Sequence, residues 1–253
     1  MIDLLLGEFL KLRTTRMVYV LLGALLLIVA IATVAVIIDE PASQLTDEED
    51  QAGLFGTAAM GIIFVLLLGV MLMSGEFRHG TITQTLLITP NRWKVLAAKL
   101  IAGALLGFVF GAAAELFALV LTVPLLELKG VDFTFGDEAT SLVIGTIVTT
   151  TICGMLGVAL GSVIRSQVVA IIVVFAGLLI VEPIITVATE SRWPEFPKYL
   201  PSHAITGIID DGSESAFKRE GSAAVLAGYV LVLAGVGGRF VLQRDVKDRK
   251  SVV

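Results

Sequence analysis

Six stretches of about twenty residues, nearly free of charge, constrain this chain more than anything else in it: residues 17–38, 53–73, 100–126, 142–164, 168–187 and 223–241. An α-helix rises about 1.5 Å per residue, so each run is long enough to cross a hydrocarbon core of roughly 30 Å. Within that core every backbone N–H and C=O must be paired inside its own segment. Each run is therefore expected to be a helix, even where Ile171, Ile172, Val173 and Val174 favour a strand. Hydrophobic residues make up 56% of the 253 and charged residues 16%, more apolar surface than a soluble core of this length could hide. The expected fold class is an all-α polytopic membrane protein, a single transmembrane domain over residues 1–253 with both termini on one side.

Residues 1–16 read differently. Ile2, Leu5, Leu6, Phe9 and Leu12 fall near one helical face, with Asp3, Glu8, Lys11 and Thr15 largely elsewhere and Arg13 and Arg16 following. That pattern predicts an amphipathic helix lying on the membrane surface. The apolar run behind it exceeds the usual ~7 to 15 residues of a cleavable signal core, which favours an uncleaved anchor.

Lysine and arginine placement gives the orientation. With cytoplasmic termini, the outer segments hold only Lys129, Arg192, Lys198, Lys218 and Arg219 of the eighteen basic residues. Four of those five lie in the longest loop, residues 188–222, where the bias is weaker, and the loop after the first span has no basic residue. The expected location is the cytoplasmic (inner or plasma) membrane, with residues 75–99 on the cytoplasmic side.

That segment, GEFRHGTITQTLLITPNRWKVLAAK, is the most informative polar stretch. Ile82, Leu86 and Leu87 would pack one face of a short helix while Thr83, Gln84 and Thr85 stay available. Pro90 ends it, and Arg92, Trp93 and Lys94 mark the return to the interface. Such a helix can dock into a cleft on a soluble protein, but an ordinary loop between spans also carries basic and turn residues. The residues alone leave these two readings equal.

Glu115 lies near the middle of the third span, where an ionisable group is costly and is expected to face other helices or a polar cavity. It belongs either to a translocation path or gate, or to a buried polar contact with Thr149, Thr150 and Thr151. Glu182 and Pro183 stand toward the outer end of the fifth span, where proline should kink or end the helix. They join Glu115 as candidates for an intramembrane path or gate, against a solvated helix end as the plainer reading of Glu182. Gly103, Gly107 and Gly111, and Gly157 and Gly161, recur at four-residue spacing and are read as helix-packing faces, within or between chains. In the outer loop, Trp193, Phe196 and Tyr199 alternate with Pro194, Pro197 and Pro201, and residues 204–209 are too short to cross but long enough to dip into the outer leaflet.

Several functions are excluded by what the sequence lacks. There is no GxxxxGK[ST] motif, so ATP cannot be bound through a P-loop here. His79 and His203 both lie in loops, which leaves an intramembrane Ser-His protease without its base. Cys153 is the only cysteine, and no cluster of His, Cys and carboxylates suggests a metal. A net charge of −5 without a long basic run argues against nucleic acid as a partner.

The order Glu76, Gly80-Thr81, a short apolar helix, Pro90, Arg92 and Lys99 resembles the loop between the second and third spans of ABC-2 type transporter permeases. Span number, leading amphipathic helix, outer loop and mixed-charge tail extend the resemblance over the whole chain. It implies an ABC-2 (type V exporter-like) fold and the permease subunit of an ATP-driven exporter of a hydrophobic or amphipathic substrate. It also implies a coupling helix within residues 80–90 that touches the ATPase, carried by Gly80, Thr81, Leu86 and Pro90 with Glu76, Arg92 and Lys99 as flanking charges. The implied partners are an ABC ATP-binding subunit in two copies, a second permease chain (homodimer or heterodimer) and membrane lipid. This chain would bind no cofactor and catalyse nothing itself, ATP and Mg residing on the partner ATPase. The competing reading is an ATP-independent ion- or proton-coupled transporter or channel using Glu115 and Glu182. A membrane anchor or sensor scaffold is a third, which leaves Glu115 without a purpose.

Overall fold

The computed structural model describes residues 2–82, 87, 89, 91–164, 166–210 and 216–243. Among them are helices and no strand. Helix α1 (Ile2–Thr14) leads into α2 (Arg16–Asp39). A short α3 (Glu48–Gly53) and a 3-10 segment (Leu54–Met60) run on into α4 (Gly61–His79). Then come α5 (Arg92–Leu128), α6 (Asp137–Val163), α7 (Gln167–Ala176), a π turn (Gly177–Val181), α8 (Glu182–Glu190), α9 (Pro201–Ile209) and α10 (Arg219–Gln243). Six helical stretches are long and apolar enough to cross a membrane: Arg16–Asp39, Asp50–Arg78, Arg92–Leu128, Asp137–Val163, Gln167–Thr189 and Arg219–Arg239.

Helix α6 is the axis of the bundle, packed by α4, α5, α10 and α9. Glycine makes that closeness possible. A Cβ added to Gly103 would stand 2.7 Å from the Gly154 carbonyl oxygen, and one on Gly161 would stand 2.8 Å from that of Val70. Gly107 and Gly111 press in the same way on Thr150, and Gly157 on Leu66 and Gly69. These five glycines thus make packing faces within the chain, Gly103, Gly107 and Gly111 joining α5 to α6, Gly157 and Gly161 joining α6 to α4.

Pro183 neither ends the fifth span nor leaves a gap in it. The helix widens into the π turn just before the proline, and the Glu182 N–H reaches the Gly177 carbonyl five residues back. The chain then continues as α8 with Pro183 in its first turn, directly after the widened turn. Part of the loop between the fifth and sixth spans folds back as α9, whose Ala204, Gly207 and Ile208 are buried. Arg219 ties this helix down: its Nε donates to the Ile208 carbonyl at 2.8 Å and its guanidinium also reaches Ser141 Oγ at 2.8 Å. A cation at the last turn suits the helix dipole.

Between the first two spans, Gln51 organises the opposite end from the N-terminus. Its amide donates to the carbonyls of Leu45 and Asp132 at 2.9 and 3.0 Å and accepts from Thr134 N–H at 2.8 Å. The connection after α2 is thereby pinned to the connection between α5 and α6.

Candidate functional site

Helix α1 turns its polar side inward. Leu6, Phe9 and Leu10 are exposed, while Glu8 is buried at 2%. For a helix beside lipid this inversion is the stable choice, since the apolar residues meet apolar surroundings and the charges meet partners within the protein.

Those partners come from two other helices. Lys99, two turns into α5 and fully buried, donates from Nζ to Glu8 Oε2 at 3.0 Å and to Glu76 Oε1 at 2.8 Å, with the Leu72 carbonyl at 3.4 Å. Lys11, half exposed, reaches Glu8 Oε1 and Glu76 Oε1, each at 2.8 Å. Two acids and two lysines from α1, α4 and α5 therefore close one ring of charge. Burial pushes the Glu8 carboxyl up, but the ammonium groups of Lys99 and Lys11 outweigh it and hold the pKa below the usual carboxylate value. Burial likewise works against the charged form of Lys11, and hydrogen bonds to Glu76 and Glu8 reverse that and raise it.

The same ring borders the expected coupling segment. Helix α4 ends at Gly80, whose φ of 70° is the left-handed conformation that stops a helix without steric cost. Among the next residues Thr81, Ile82 and Leu87 are helical. Leu86 and Pro90 lie outside the described residues, as do Thr83, Gln84 and Thr85. The Asn91 side chain then accepts from Lys94 N–H at 3.2 Å and starts α5. Arg92 is partly buried one residue further on, and the Trp93 ring lies against Gly238 of α10. So Glu76 and Lys99, expected as charges flanking the loop, are brought into direct contact with each other, and Gly80, Thr81 and Arg92 stand at the loop's two ends. Beside the ring lies a cavity of about 400 Å³ bounded by α1, α2, α4, α5 and Gln167 at the start of α7.

Glu115 is buried at 4%, beside Thr146 of α6. Neither of its carboxyl oxygens has a hydrogen-bond partner among the described residues, nor do the hydroxyls of Thr122, Thr146 and Thr149. The alternative of a hydrogen bond from Glu115 to Thr149, Thr150 or Thr151 is not formed among the described residues. Thr150 and Thr151 turn their hydroxyls back to the Thr146 and Ile147 carbonyls of their own helix at 2.9 and 2.7 Å, the usual resort of a threonine within an apolar helix. Glu182 is far from unpartnered and is not a solvated helix end: it is 7% exposed, and its Oε2 accepts from Ser202 N–H at 2.8 Å, in the first turn of α9. Thr186 and His203 meet alongside, at 3.2 Å, and Pro183 is exposed. Among the described residues no three His, Cys, Asp or Glu side chains gather where they could hold a metal.

Glu8 and Lys11 are the residues that sequence reasoning missed. The signal was present as an acid and a base one turn apart on a helix preceding a span, but which face of α1 would be buried depended on α4 and α5.

A family model described as ABC-2 family transporter protein matches residues 4–188, from α1 through α8. The chain belongs to the ABC-2 family. Its match takes in the three helices that supply the charge ring, α1, α4 and α5, together with residues 80–91 and Glu115. The protein is thus a multi-pass membrane component of an ABC transporter and not itself catalytic, and membership implies association with an ABC ATP-binding subunit. No curated protein sequence matches the chain.

Proposed function

We propose that the chain is the permease half of an ATP-driven exporter, energised by a separate ATPase that docks on residues 80–90 and moving a hydrophobic or amphipathic substrate outward. The observation that supports it best is the charge ring. The two helices that bracket the docking segment, α4 and α5, are bonded to each other through Glu76 and Lys99 and to α1 through Glu8 and Lys11. A displacement of the segment therefore cannot leave α1 behind without separating buried charges, which costs several kcal/mol. Both termini are cytoplasmic, two ATPase copies bear on two permease chains, and ATP and Mg stay on the ATPase. Closure of the ATPase pair shifts the permease between states for which the closed and open ATPase have different affinities.

Glu115 serves the path or its gate. An ion-coupled carrier working without ATP would need a second intramembrane ion partner, and Glu182 already accepts the Ser202 N–H. Reconstitution with the ATPase tests the scheme. Replacing residues 82–89 by a Gly-Ser linker should abolish substrate-stimulated ATP hydrolysis with insertion intact, and Glu115→Gln should impair transport more than assembly. Full stimulation with the linker would contradict the docking segment, and normal export by Glu115→Gln would take Glu115 out of the path.

A further inference from the structure

We propose that the cavity beside the charge ring is a binding site for a zwitterionic amphiphile, its ammonium on Glu76, its phosphoester oxygen on Lys11 and the start of its chain along the apolar wall. The argument rests on the bonding capacity left over in the ring. Lys99 has three N–H groups and three acceptors, Glu8, Glu76 and the Leu72 carbonyl, and so offers nothing further. Lys11 has two acceptors, leaving one N–H on a half-exposed ammonium. Glu76 Oε1 takes both lysines, whereas its Oε2, buried, has no partner among the described residues. Among the charged groups of the ring, what remains is one N–H on Lys11 and one carboxylate oxygen on Glu76, two residues of opposite charge that both line the cavity. A purely anionic head would also face two carboxylates there, and a purely cationic head two ammoniums. A head carrying both signs meets each with its opposite.

Size and position agree with that choice. About 400 Å³ lies in the range of roughly 300–1,000 Å³ usual for small-molecule sites and holds a headgroup rather than a whole lipid. Leu12, Val18, Leu68, Met71, Leu72 and Leu106 make an apolar stretch of the wall, with Thr15, Thr81 and Gln167 adding neutral polar groups to the rest. Leu12 also borders a second hollow of about 260 Å³ between α1 and α5, walled by Leu5, Leu6, Phe9, Ile101 and Leu105, where a chain can continue. Because α1 presents Leu6, Phe9 and Leu10 outward, this doorway lies at headgroup depth.

The inference goes beyond the exporter reading and does not depend on it, since no ATPase takes part in its test. The full chain, purified and delipidated in mild detergent, is titrated with short-chain phosphatidylethanolamine, phosphatidylglycerol and an alkylamine, and bound ligand is counted by native mass spectrometry. Phosphatidylethanolamine should bind about tenfold more tightly than either single-charge probe, the equivalent of one charged hydrogen bond. Lys11→Met should remove the preference over alkylamine, and Met71→Trp should fill the cavity and abolish binding while Met71→Leu retains it. Equal binding of all three probes overturns the proposal, as does undiminished binding by a folded Met71→Trp. If that variant does not fold, an unchanged preference in Lys11→Met overturns it alone.

Discussion

Lys99 and Lys11 hold the same two carboxylates, yet burial makes them unequal. Lys99 is 0% exposed, so Lys99→Met leaves Glu8 and Glu76 facing each other with one half-exposed cation between them. Breaking a buried pair in this way costs about 3–5 kcal/mol, whereas a solvent-screened partner contributes about 1 kcal/mol or less. Thermal unfolding in detergent should show a large loss for Lys99→Met and a small one for Lys11→Met; equal losses would mean that the ring does not distinguish them. Acid and base act on the same groups in opposite senses. The Glu8 pKa is lowered from 4.5 on folding, so its contribution is complete above 4.5 and is lost as pH falls through the lower folded value. The Lys11 pKa is raised from 10.5, so its contribution is complete below 10.5 and is lost as pH rises through the higher folded value. A spin label on exposed Thr14 should therefore stay immobile from pH 5 to pH 10 and loosen below the carboxylate range. Loosening between pH 6 and pH 8 would contradict the assignment.

At the scale of helices, glycine contacts set the spacing of α4, α5 and α6. Gly107 lies directly against the Thr150 backbone of α6, while nothing stands within 4 Å of a Cβ on Gly23 of α2. Gly107→Ala should destabilise by about 1–3 kcal/mol through overpacking, and Gly23→Ala should change stability by no more than about 0.5 kcal/mol or raise it slightly. Chemical unfolding of the two variants side by side checks this, and a neutral Gly107→Ala would remove the close approach from the structure's supports. The spans themselves were legible in the sequence because membrane burial demands one property over about twenty residues. Their true lengths were not: α5 runs 37 residues, about 55 Å, since Asn91 caps it well before the apolar run begins at residue 100. The π turn before Pro183 was also hidden, because how a helix absorbs a proline depends on its neighbours and not on the proline alone. Most informative was α1, whose amphipathic pattern was visible while its orientation was not. Only the presence of Lys99 and Glu76 on adjoining helices makes the polar face the buried one.

For the whole molecule, family membership and geometry meet at one place. The described bundle gathers α1, the start of α5, the end of α4 and the C-terminal part of α10, where Gly238 adjoins Trp93, around the two ends of residues 80–91. Under the proposed coupling, a push entering there would be passed to α1 by the charge ring and to α6 by the glycine contacts. The most direct measurement is affinity purification of the tagged chain from its own host in mild detergent, with identification of whatever accompanies it. It is repeated with residues 80–90 replaced by a Gly-Ser linker. A P-loop ATPase should accompany the native chain and be lost with the replacement while the six-span bundle still folds. A chain that emerges alone under several mild conditions, or an ATPase still held after the segment is replaced, would contradict coupling through residues 80–90.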